Sequence, residues 1–218
     1  MTQQETTLTA LIDHLESQVK QARKAADIDP LLTLTAAAMD QLEQAANDPA
    51  TAAADRERAQ KSAKKLGYNA AADVWPFWDN PPPARTQQQL RAARAIAVRV
   101  ADLSAVLPQT PTQAGNAPWL IGAFDLALGD LPSAQSHFSA ARSHFEPVPE
   151  MKLLAEGYQA LAGDPAASPL ETTIQTLTTS ALPHAKDLAE QLLTAAASIQ
   201  ALTASLRAQR SNPSFQRP

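Results

Sequence analysis

Apolar residues recur three and four positions apart along most of the chain, a rhythm that suits helices and very little else. Leu8, Leu11, Ile12, Leu15, Val19 and Ala22 fall on one stripe of a helix over about residues 5–26, with polar residues opposite. Leu31, Leu32, Thr35, Met39, Leu42 and Ala46 repeat the pattern to about Asn47, behind Asp29 and Pro30 as N-cap and first-turn proline. So few residues part the two helices that they are expected to fold back as an antiparallel hairpin. Composition points the same way. Hydrophobic residues make up 44% of the chain but aromatics only 5%, so the apolar content lies in alanine and leucine, strong helix formers. A chain of 218 residues can bury roughly 70% of its unfolded surface, and a single all-α domain over residues 1–207 is expected.

Start and stop signals divide the rest. Asp48 and Pro49 repeat the opening signal for a third helix, which runs through the basic stretch to Gly67 as a left-handed C-terminal cap. Residues 68–85 hold Pro76, Pro81, Pro82 and Pro83 and read as a proline- and tryptophan-rich connector, because each proline lacks an amide hydrogen. Thr86 with Gln89 forms a capping-box pattern ahead of the stripe Leu90, Ala93, Ile96, Val100, Leu103 and Leu107. After a loop, helices are expected at about 118–128, 132–145, 149–162 and 169–179, the last behind a Ser168 and Glu171 box. A capping helix over 183–207 and a flexible tail over 208–218 complete eight or nine helices.

One internal repeat stands out. Residues 122–130 (GAFDLALGD) match residues 156–164 (EGYQALAGD), placing Phe124 over Tyr158, and Gly129 and Gly163 stand 34 residues apart. That is the tetratricopeptide period. Gly122, Gly129, Ala134, Phe138 and Ala141 also fall at that family's small and aromatic positions, close after Trp119, so residues 119–147 resemble a tetratricopeptide repeat and the unit with Tyr158 and Gly163 a degenerate second copy. The resemblance implies antiparallel hairpins stacked as an α-α superhelix over residues 86–182. In such a stack the glycines and alanines allow close approach and turning, and the aromatics fill the space between pairs. It also implies binding of another protein or peptide on a helical surface, without chemistry of its own.

The functional expectation is therefore a non-enzymatic adaptor or scaffold of bacterial type. Trp119, Ala123 and Leu126 on the repeat's first helix are the expected partner surface, joined by Trp75, Phe77 and Trp78. Large aromatics are frequent anchors of interfaces, although the same rings more often plug the end of a helical stack. The alternative is a nucleic-acid or small-ligand binder using the basic helix 56–65, with Arg56, Arg58, Lys61, Lys64 and Lys65, and with Arg91, Arg94 and Arg99 beside it. Against nucleic acid stand Asp55 and Glu57 within the run and a net charge of −4. No cofactor or metal is expected, since cysteine is absent and His137 and His144 lie two helical turns apart. No phosphate loop or nucleophile motif occurs. The N-terminal residues lack a basic start before an apolar run, and no stretch reaches about 20 apolar residues, so a cytoplasmic, soluble chain is expected.

Overall fold

In the computed structural model the backbone is described for residues 3–210 and the side chains for residues 8–201. Nine α-helices and no strand occupy the described residues. They are α1 (Gln3–Ala25), α2 (Ile28–Asn47), α3 (Ala53–Val74), α4 (Gln87–Val106), α5 (Pro111–Leu128), α6 (Leu131–His144), α7 (Pro149–Leu161), α8 (Leu170–Thr179) and α9 (Ala185–Arg210). The tail expected past residue 207 lies outside the described residues from 211 on.

Consecutive helices pack against one another throughout, as amphipathic helices on short connections must. A second set of contacts joins alternate helices: α1 to α3, α3 to α5, α5 to α7 and α7 to α9 form a continuous row. Among the even helices α2 reaches α4. At the centre lies α5, where every residue from Trp119 to Leu126 is buried. A helix apolar on all sides belongs in the interior, and α5 is packed between α3, α4, α6 and α7.

Several boundaries differ from the expected ones, each for a local reason. Helix α3 does not stop at Gly67 but continues to Val74. A Cβ at Gly67 would stand 2.7 Å from Met39 Sδ and 2.8 Å from Val100 Cγ2, so this glycine serves close packing of α3 on α2 and α4. The connector accordingly begins at Trp75, with a 3-10 turn over Pro76–Trp78. Asp48 does not cap α3: its carboxylate accepts from Ala50 N at 2.8 Å and closes a turn, and the helix starts at Ala53. Asp29 sits in the first turn of α2, whose N-cap is Asp27. Helix α5 starts seven residues before Pro118, which lies inside it, because Thr110 and Gln113 form an unforeseen capping box. The Thr86 and Gln89 box forms as expected. Ser168 and Glu171 form none, Pro169 taking the N-cap position of α8.

Both repeat units end their first helix in the same way. Gly129 and Gly163 adopt φ of +81° and +73°. Asp130 N donates to the Asp125 carbonyl at 2.9 Å and Asp164 N to the Gln159 carbonyl at 3.0 Å, while the two glycine amides bond Leu126 and Ala160. These are paired Schellman turns, which a left-handed glycine makes at little cost. Between α5 and α6, a Cβ at Gly122 would meet the Phe138 ring at 3.0 Å, and Ala134, Phe138 and Ala141 are fully buried. Phe138 reaches the next pair through the Tyr158 ring, 5.3 Å away between centroids.

Candidate functional site

Ending α3 at Val74 and turning at Pro76 drives the aromatic segment inward over α5. Trp75 is 1% exposed, and its indole N–H donates to the Ala123 carbonyl at 3.2 Å. Its ring meets Trp119 at 5.5 Å and Tyr158 at 5.6 Å, both edge to face, an arrangement favoured by the ring quadrupoles. Trp119, 4% exposed, stands edge-on to Tyr158 at 5.3 Å, and its N–H has no hydrogen-bond acceptor among the described residues. Phe77, Ala123 and Leu126 are buried as well. Of the six residues expected to meet a partner, five are thus internal in this fold. Their job here is packing, since only Trp78, 41% exposed and anchored by its N–H to the Ala72 carbonyl at 2.6 Å, remains open to a partner. Tyr158 shares the interior. Its hydroxyl accepts from Gln191 Nε2 at 3.0 Å, and burial pushes its pKa well above the usual phenol value.

The basic residues are mostly engaged with the fold. Arg56 donates to the Ala46 carbonyl and Arg58 to Thr9. Lys61 pairs with Glu57 at 2.6 Å and Lys65 with Glu16 at 3.1 Å. On α4, Arg91 bonds Gln87, and Arg99 bonds Asp40 at 2.8 Å and Glu43 at 2.9 Å. Arg94 and His137 both hold Asp125, which is 2% exposed: Arg94 Nε bonds Oδ1, and His137 Nδ1 lies 2.8 Å from Oδ2. The Asp125 hydrogen bond is the main cause that raises the Arg94 pKa. Asp125 occupies the repeat position of Gln159, so both units place a buried polar residue four before their glycine. A buried carboxylate needs such partners, and these three residues pin α4, α5 and α6 together.

Lys64 differs from its neighbours Lys61 and Lys65. It is half-buried, has no carboxylate partner among the described residues, and bonds only the Gln109 side-chain oxygen. Desolvation lowers its pKa. Its ammonium borders a cleft of about 470 Å³ between α3, the end of α4 and the start of α5. Buried Val100, Leu107 and Ala117 supply apolar wall, and half-buried Tyr68, Asn69 and Asn116 supply polar groups. Binding clefts commonly enclose about 300–1,000 Å³ and combine apolar walls with a few placed polar groups. Only the lysines of this cleft stood out in the sequence. Asn69 and Asn116 lie 47 residues apart on different helices, and Tyr68 was assigned to the connector, so no spacing rule could have joined them.

Among the described residues, no group of three or more histidine, aspartate or glutamate side chains is arranged to hold a metal ion. None of the helices searched is long and apolar enough to cross a membrane. Comparison of the chain with known protein families, with curated proteins and with solved structures finds no match.

Proposed function

We propose that this protein is a tetratricopeptide-like interaction module, a non-enzymatic adaptor or scaffold, whose protein or peptide partner lies along the accessible faces of α1 and α3 in the row of odd helices. The observation that carries the reading is the pair of Schellman turns at Gly129 and Gly163, 34 residues apart and alike in φ and hydrogen bonding. Identical turns at that period are what a stacked hairpin array requires. The alternate-helix contacts, strung along one row, fit the same reading. With Trp119 and its neighbours internal, the partner meets the accessible faces of α1 and α3, while Trp78 lies open on the connector. The ion pairs that occupy Lys61, Lys65, Arg94 and Arg99 weigh against nucleic acid, whose binding depends on freely available cations. A cytoplasmic location belongs to the same reading and accords with a chain that has no cysteine.

Photo-crosslinking tests this directly. A benzophenone amino acid at Lys65, on the row, should form adducts with a recurrent partner, and one at Arg91, on α4, should not. Adducts at Arg91 alone, or none at either site, would overturn the proposal.

A further inference from the structure

Four features of the cleft beside Lys64 bear on what fills it. First, it holds one cation without a counter-ion. Lys64 is half-buried, and its ammonium has three donors, of which Gln109 takes one. Lowering of its pKa by desolvation marks the cost of holding this charge there unpaired. Second, the neighbouring cations are already neutralised, Lys61 by Glu57 at 2.6 Å and Lys65 by Glu16 at 3.1 Å. With Lys61 and Lys65 each offset by its glutamate, one uncompensated positive charge is left at the cleft, and the charge balance favours one negative charge.

Third, among the described residues no hydrogen bond occupies the Tyr68 hydroxyl or the side-chain amides of Asn69 and Asn116, although all three are half-buried. They supply donors that a carboxylate can accept from. Fourth, Leu107, Pro108 and Tyr68 present apolar surface in the cleft beside these groups, which a purely inorganic ion would leave wet.

We infer that the cleft between α3, α4 and α5 is a binding site for a small amphipathic monoanion, a monocarboxylate with a short apolar body, whose carboxylate meets the Lys64 ammonium and whose body lies against Leu107, Pro108 and Tyr68. The bound carboxylate supplies the missing counter-ion, and the Tyr68 hydroxyl and the two asparagine amides complete its hydrogen bonds. This site borders the proposed partner surface at Lys65, but it rests on its own charge and hydrogen-bonding groups. It would remain if no protein partner existed.

The test uses the full chain labelled with 13C and 15N at lysine, with the Lys64 side-chain resonance assigned by its loss in Lys64→Gln. Hexanoate, hexylamine and inorganic phosphate are titrated separately. Hexanoate should move the Lys64 resonance saturably, while hexylamine should not. Phosphate should bind at least tenfold more weakly than hexanoate. In Lys64→Gln and in Asn116→Asp, hexanoate binding measured by calorimetry should fall at least tenfold. Absence of a saturable shift with hexanoate in the wild-type protein overturns the inference whatever the variants do. So does tighter binding of phosphate, or undiminished binding by a folded Lys64→Gln protein.

Discussion

The stretch from Lys61 to Asn69 and the stretch from Trp75 to Trp78 are near neighbours in the chain, and the fold treats them in opposite ways. The first keeps Lys61, Lys64 and Lys65 on the accessible side of α3 while Ala63 and Leu66 pack inward, with its charges paired except at Lys64 and a cleft beside it. The second turns over α5 and becomes the aromatic centre of the molecule, with Trp75, Phe77, Trp119 and Tyr158 all shut from water. A tryptophan offers more area to bury than any other side chain, so a helical array poor in aromatics uses its few rings as core. Lysine ends must stay near water, and they mark the surface by default.

Truncation separates the two regions most sharply. Trp119→Ala should cost about 3–5 kcal/mol of unfolding free energy in denaturant titration, the usual loss for emptying a large aromatic site. A loss under about 1 kcal/mol would remove the ring from the core. A close-approach glycine comes next. A Cβ at Gly115 would stand 2.3 Å from the fully buried Phe145 ring, so Gly115→Ala should destabilise by about 1–3 kcal/mol, read the same way.

Smaller effects sharpen the contrast. Tyr158 has its folded pKa raised by burial, so its contribution is complete below the unfolded phenol value of about 10 and is lost as pH rises beyond it. Tyr158→Phe should cost about 1 kcal/mol at pH 7 through the lost Gln191 bond and flatten part of the decline in stability above about pH 10. An unchanged alkaline limb in thermal melts would contradict the assigned burial. Lys64→Met should be the mildest, within about 0.5 kcal/mol of wild type at pH 7, because it removes an unpaired, partly desolvated cation. A loss of several kcal/mol would make Lys64 a structural residue instead.

Much of the helical layout was legible because the apolar stripes of α1, α2 and α4 are regular and, half-buried Leu11 apart, are the residues now buried. What misled was punctuation. Gly67 and Pro118 read as helix ends and lie inside helices, because a packing glycine and a capping-box start look the same as breakers in one dimension. Burial of α5 was written in its apolar run from Trp119 to Leu128, broken only by Asp125, yet its aromatic content also suits an interface, and only tertiary packing decides between the two. The cleft was half legible. Charge clustering marked the lysines, whereas pairing by Glu16, from 49 residues away, and the approach of Asn116 are products of helix stacking.

Acrylamide quenching of tryptophan fluorescence, compared between the wild type and Trp78→Phe, tests most directly whether the aromatic segment is core with one ring at the surface. Trp78 alone among the three tryptophans is open to water. The Stern–Volmer slope should therefore fall to that of a buried indole in Trp78→Phe, while denatured samples of both proteins quench freely. A slope left unchanged by the substitution would place Trp75 or Trp119 at the surface and contradict the account.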